Sequence, residues 1–412
     1  MMRSRKQLSS IIVLLAVLLA AVGDSASALR GYCCAAGHPL AFTQDDKKKA
    51  EKEFPDVKLG KENAEELEKT IKLVTDPAIL ERVNRIGQEI AAIANAEPIP
   101  ILWGMPERGK FEYTFRVVDD KDINAFSLPG GFIYINKGLL DYVKSDDELA
   151  GVIGHEIAHA AHRHMIRLIN EQNKLQQRLL IPLIVGALLS RSPGSDIGNL
   201  LMAGQLYLVA KLNTYGIEAE KDADQAGVRY LMRTKYNPVG LLTFMERLAR
   251  DELRGPQREL GIYRTHPPSP ERARALQALL EELKIPINRR EVDTSIRALV
   301  KPATVNGVTV AEVTMGNTVI TRLTASDGLS ADDRAQKFAD NINLLFDRGL
   351  QMHELRLSSD GKRIVARSIV MVTFAPSDAE VQNLPLERVS RNTLDVLKNL
   401  LWQDQFNRIP PA

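Results

Sequence analysis

The 412-residue chain reads as an α+β protein, a mainly helical body holding a small sheet and followed by a small C-terminal α/β domain. Three observations predict this. Helix signals dominate from Glu62 to Leu283, with caps at Asp76-Pro77, Ser145 and Ser269-Pro270. Strand-like runs interrupt them on either side of Pro129-Gly130-Gly131. From about Ile285 the composition shifts to short alternating runs such as "NGVTVAEVTMGNTVI". The length allows two or three domains, and 44% hydrophobic residues suffice for a buried core.

At the N-terminus, Arg3, Arg5 and Lys6 precede an apolar run, Ile11–Val22, and then Ala26-Ser27-Ala28. This order predicts a secretory signal peptide over 1–28, cleaved after Ala28. The run is short for a membrane span, so an uncleaved anchor is the lesser alternative. The chain carries 54 basic and 52 acidic residues; without 1–28 it loses three basic groups and one acid and balances at 51 of each. A neutral chain without basic clusters excludes an electrostatic case for nucleic acid. Residues 29–54 form a polar leader with the charged run "QDDKKKAEKE". Cys33 and Cys34 lie in it. Tyr32, not a small residue, precedes Cys33, which argues against lipidation. Adjacent cysteines bridge each other only with strain and lack the further ligands of a metal site, leaving pairing between chains or a free leader.

The body is expected over 55–283. "PIPILW" and "FEYTFRVVDD" read as strands, and "INAFSLPGGFIYINKGLL" as a strand, a turn and a second strand, Phe132–Asn136. Ser145 and Glu148 form an S-x-x-E capping box, opening a helix expected to reach about Lys174. Two apolar blocks, Leu179–Leu189 and Leu200–Leu212, flank "SRSPGSDIGN". Neither is long enough to span a membrane. They predict a helical hairpin packed on the protein, the alternative being contact with a membrane surface through 179–212. Helices follow at Tyr215–Arg233 and from Pro270 to Leu283. Residues 284–299 are expected to be a linker, and 300–412 the C-terminal domain, with a helix at Ser330–Phe346, a strand in "RIVARSIVMVTF" and a last helix at Leu386–Trp402.

Four of the seven histidines fall in "GHEIAHAAHRH", Gly154–His164. His155-Glu156-x-x-His159 is an HExxH motif. Residues four apart on a helix stand about 40° apart and one turn along the axis, so two imidazoles converge on one tetrahedral ion. Glu156, about 100° round from His155, can reach an activated water without ligating the metal, which makes it a candidate general base. A catalytic zinc site needs a third protein ligand. Between Glu171 and Glu218 the sole acid is Asp196, and Glu171 lies about 18 Å along the helix from His159. In "IEAEKDADQAG", Glu220 and Asp224 share a face with Ile217, Ala223, Gly227 and Leu231, whereas Glu218, Lys221, Asp222, Gln225 and Arg229 gather on the other side and are expected to be solvated. Buried carboxylates cost several kcal/mol unless paired or metal-bound. Glu220 is therefore assigned as third ligand and Asp224 as acceptor for the remaining N–H of a ligand imidazole. On the same wheel His162 lies near the metal face one turn beyond His159 and stays unassigned, while His164 points away and reads as a core histidine. His266, in "RTHPPSP", can donate to the oxyanion of a tetrahedral intermediate or cap the metal; the sequence leaves both open.

"NAFSLPGGFIYINKGLL", "ELAGVIGHEIAHAAHRH", "EAEKDADQAG" and "THPPSPERARAL", in this order, resemble the HtpX and CAAX-prenyl-protease family of zinc metallopeptidases, peptidase family M48, and within it the soluble, exported bacterial members. The resemblance covers roughly 55–283. It implies a zincin-type fold with one Zn²⁺ held by His155, His159 and Glu220, Glu156 as catalytic glutamate, Asp224 behind the ligands, and a role for His266. It also implies that Asn124-Ala125 and the strand Phe132–Asn136 form an edge on which an extended substrate adds as a strand. His164 matches the family's usual "RH"; His162 matches no usual histidine. The tail beyond about 300 lies outside the resemblance and lacks a tetratricopeptide pattern. The expectation is a periplasmic or envelope-associated zinc endopeptidase that cleaves unfolded or misassembled envelope proteins. The alternatives are a gated, largely non-proteolytic chaperone or assembly factor, and an exopeptidase.

Overall fold

The computed structural model describes residues 55–174, 216–253 and 270–407. The expected signal peptide and leader, Cys33 and Cys34, the apolar blocks within 179–212 and His266 lie outside the described residues.

Helices α1 (Pro55–Glu68) and α2 (Pro77–Ala96) open the body. Asp76 caps α2 as its sequence predicts: its carboxylate accepts from Ala78 N at 2.9 Å while Pro77 takes the first position. Val83, Ile86, Ile90 and Ala94 recur at helical spacing and are fully buried, so this stripe faces the core. The segment 98–103 is not a strand, although "PIPILW" suggests one. Its Leu102 and Trp103 N–H groups donate to the Asp222 carboxylate, and no sheet ladder uses them.

Strands β1 (Thr114–Val118), β2 (Ala125–Leu128) and β3 (Phe132–Asn136) form one sheet in the order β1-β3-β2. β3 runs parallel to β1 and antiparallel to β2. This corrects one expectation: Phe132–Asn136 is the central strand, its ladder groups used on both sides, so it is not an edge. The edge beside the HExxH helix is β2. Asn136 donates to the Asn124 carbonyl. By antiparallel alternation Asn124, Phe126 and Leu128 turn their backbone groups to β3, and those of Ala125 and Ser127 face outward.

After α3 (Lys137–Tyr142) comes α4 (Asp146–Ala161), buried over nearly its whole length. Ser145 caps it, accepting from Glu148 N at 3.3 Å. Glu148 is fully buried because Arg247 donates to both its oxygens, at 2.9 and 2.5 Å, and Thr243 adds a third bond at 2.9 Å. The helix stops at Ala161, short of the expected Lys174. Arg163 adopts φ 56°, and a separate helix, α5, follows at 164–174. Helix α6 (216–231) crosses α4 where Gly227 meets Gly154; a Cβ on Gly227 would stand 3.2 Å from His155 N. Helices α7 (Val239–Leu253) and α8 (Pro270–Glu282) complete the body.

The stretch 284–299 holds a short helix, α9 (Arg289–Val292), and a 3-10 turn at Thr294–Ile296. Beyond it, β4 (Ala298–Val305), β5 (Val308–Met315) and β6 (Thr318–Leu323) form an antiparallel sheet. Asn306 and Gly307 both take positive φ, the turn an Asn-Gly pair favours between twisted strands. Helix α10 (Ala331–Asp347), capped by Ser330, packs on this sheet. "RIVARSIVMVTF" is a hairpin instead of one strand: β7 (Leu355–Leu357), β8 (Arg363–Ala366) and β9 (Ile369–Thr373) form a second sheet, and Arg367 at φ 54° turns the chain. Helices α11 (Pro376–Val381) and α12 (Leu386–Asn407) close the tail.

The body and the tail have separate apolar cores, and buried arginines join them. Arg289 pairs with both Glu246 oxygens at 2.8 and 2.7 Å. Arg290, 1% exposed, meets Asp347 and Asp404 at 2.6 Å each, tying α9 to α10 and α12. Removing one partner of a buried ion pair costs about 3–5 kcal/mol because a charge is left without compensation. Arg290→Ala should therefore lower the unfolding free energy of the full chain by about 3–5 kcal/mol in urea denaturation. Unchanged stability would show that the junction is not held by this charge.

Candidate metal centre

The crossing of α4 and α6 brings His155, His159 and Glu220 together. His155 Nε2 and His159 Nε2 lie 3.0 Å apart, and each lies 3.3 Å from a Glu220 oxygen. A tetrahedral ion bound at about 2.0–2.1 Å separates its ligands by about 3.3 Å, so this triangle has the size such an ion requires. Two neutral imidazoles and a carboxylate are also the donor types it takes. Glu156, on the same helix, is 1% exposed.

Around the triangle, Asp224 Oδ1 lies 2.9 Å from His155 Nδ1, the nitrogen turned away from the centre. Asp224 is itself clamped by Arg272, whose Nε and Nη2 donate to its two oxygens at 2.9 and 2.7 Å. The third guanidinium nitrogen, Nη1, reaches Glu220 Oε2 at 2.8 Å. Sequence reasoning missed Arg272. Its signal was position: it follows Pro270 at the start of α8, which delivers a side chain only 7% exposed.

The electrostatics follow from this packing. Burial disfavours charge on both rings. At His155 the Asp224 and Glu220 carboxylates outweigh it, and the pKa is pushed up to about 10. At His159 burial prevails and the ring stays neutral, well below the usual imidazole range. Burial opposes ionisation of Asp224, yet Arg272 and His155 hold its carboxyl below the usual carboxylate range. The pocket thus draws a positive charge toward His155.

Two expectations need correction. Asp222 is not solvated; it is fully buried. One of its oxygens accepts from Leu102 N at 2.5 Å and Trp103 N at 3.2 Å, and the other from the side chains of His162 and His164. The wheel gives the angle of Asp222 correctly, but the 98–109 loop covers that face. His164 does not point away from the centre. Because α4 ends at Ala161 and Arg163 reverses the backbone, His164 Nδ1 comes within 2.9 Å of His159 Nδ1. His162, 3.5 Å from the Tyr230 hydroxyl, takes no part in the triangle. Of the expected substrate-edge residues, Asn124 and Ala125 stand at the start of β2.

Residues 77–280 match the model of peptidase family M48. The chain belongs to peptidase family M48. It is 31% identical over 199 residues to a putative beta-barrel assembly-enhancing protease of Vibrio cholerae, covering 47% of this chain and 38% of that protein. It is 25% identical over 248 residues to the beta-barrel assembly-enhancing protease of Escherichia coli, covering 60% and 46%. With the metalloprotease LoiP of Escherichia coli it shares 29% identity over 165 residues, covering 40% and 61%. The chain spans less than half the length of the two assembly-enhancing proteases. The triangle, Glu156, Asp224 and Arg272 all lie inside the matched segment.

Partners that orient metal-bound histidines contribute about 10–100-fold in metal affinity. Asp224→Ala should weaken divalent-metal binding by about that factor in competition with a chromophoric chelator. Wild-type affinity in this variant would remove Asp224 from the site.

Proposed function

We propose that this chain is a zinc-dependent endopeptidase. The observation that carries the proposal is the triangle of His155, His159 and Glu220 with Glu156 one residue along the same helix. Zn²⁺, when bound, polarises the scissile carbonyl and lowers the pKa of water. His155, His159 and Glu220 hold the ion, and Asp224 fixes the His155 tautomer while Arg272 fixes Asp224. Glu156 takes a proton from the attacking water and returns it to the leaving amine. His266 is assigned to the oxyanion or to the resting metal. The outward backbone of β2, at Ala125 and Ser127 next to Asn124, offers a ladder to an extended peptide. Strand addition reads backbone more than side chains, which suits unfolded or misassembled clients.

The assignment to the cell envelope of a bacterium draws on the N-terminal export pattern and on relatives named for assembly of β-barrel proteins. No described helix is long and apolar enough to cross a membrane. Our domain reading is a catalytic body over 55–283 and an appended domain over 300–412, with 179–212 a helical hairpin packed on the protein or, as the alternative, a membrane-surface contact.

Glu156→Gln tests the chemistry. The variant should keep one zinc per chain by elemental analysis and lose about 10²–10⁴-fold in casein cleavage. Full residual cleavage would sink the assignment. Internal cuts in a long peptide, as against stepwise trimming, separate an endopeptidase from an exopeptidase.

A further inference from the structure

His164 and Asp222 have no part in the chemistry above, yet both are buried against it, at 1% and 0% exposure. His159 Nε2 faces His155 and Glu220. With that nitrogen as the donor to a metal, the ring proton sits on Nδ1, which must find an acceptor. His164 Nδ1 lies 2.9 Å from it. Accepting there puts the His164 proton on its own Nε2, 3.0 Å from Asp222 Oδ2. Each ring then holds one proton, and every proton points the same way along the chain.

Asp222 is built to end such a chain. Leu102 and Trp103 donate backbone N–H groups to Oδ1, and His162 Nδ1 donates to Oδ2 beside His164. The backbone places His164 through Arg163, at φ 56°, whose guanidinium meets both oxygens of the buried Asp56 at 2.6 and 2.8 Å.

We propose that His164 is a positioning residue for the metal ligand His159, fixing its tautomer and ring orientation through a one-way chain from His159 to His164 to Asp222. The proposal rests on the assignment of His155, His159 and Glu220 as the metal triangle. His162, His164 and Asp222 are themselves spaced as a metal triad. A metal on His164 Nε2 would force its proton to Nδ1, against the proton of His159. The chain and a second ion are therefore exclusive.

The test uses purified full-length protein with Zn²⁺ and a competing chelator. Wild type should hold one zinc. His164→Phe keeps the ring volume and removes the acceptor; its zinc affinity should fall about 10–100-fold. His164→Asn restores an acceptor near Nδ1 and should stay within about threefold of wild type, a rescue that a purely packing role does not give. Asp222→Asn, which keeps the shape should His164→Phe not fold, should weaken zinc by about three- to tenfold. Undiminished affinity in His164→Phe, or in Asp222→Asn where His164→Phe does not fold, overturns the proposal. Equal loss in His164→Phe and His164→Asn, or two zinc ions per wild-type chain, overturns it as well. No zinc in the wild type removes the triangle itself, and with it this inference; a full triangle with undiminished His164→Phe removes only the inference.

Discussion

Glu220 and Asp224 stand one turn apart on a helix face that the fold buries, and neither carboxylate is stable there without positive charge. The neighbouring elements supply it. Helix α8 delivers Arg272, which reaches both carboxylates from one side. Helix α4 brings two imidazoles from the other, and the close approach at Gly154 and Gly227 lets His155 touch Glu220 and Asp224 together. A buried cluster of this kind is weak evidence for stability, because desolvation offsets much of the attraction. Its geometry makes better sense as a holder for an ion, where the carboxylates that cost folding energy provide affinity.

The two histidines of the triangle are supported unequally. His155 faces a carboxylate directly, and a carboxylate acceptor raises the basicity of a ligand imidazole. His159 faces another imidazole, with its carboxylate one ring further away. Burial depresses the proton affinity of His159, whereas at His155 the Asp224 and Glu220 carboxylates outweigh burial and raise it.

What the sequence revealed and what it hid divide along one physical line. His155, Glu156, His159, Glu220 and Asp224 were legible because helix geometry fixes them relative to their neighbours, and the helix continues through each group. His164 was misread because the wheel was carried past Ala161. Nothing in "AHRH" announces a left-handed Arg163; the partner that holds it, Asp56, is 107 residues away. Asp222 was misread because a wheel gives a direction and not what packs there. Its occupants, Leu102 and Trp103, come from a segment that resembles a strand and is held by a carboxylate instead. The hairpin in "RIVARSIVMVTF" was hidden for a local reason: Arg367-Ser368 lacks the glycine or asparagine that usually marks a tight turn. Arg272 stood in a quoted motif among other arginines, and only the tertiary structure distinguishes it.

The end of α4 shows how far the site extends. Its last carbonyls have no partners within the helix, and the 98–109 loop provides them: Gly109 N donates to Ala161 O at 2.8 Å and Met105 N to His162 O at 2.9 Å. Arg167 lies 4.4 Å over the Trp103 ring and donates to Gly104 O, fixing the same loop from α5. Asp222 therefore joins two things at once, the backbone of this loop through one oxygen and the imidazole chain behind His159 through the other. Since His164 has its proton on that carboxylate, the orientation of His159 depends on a loop some sixty residues earlier in the chain.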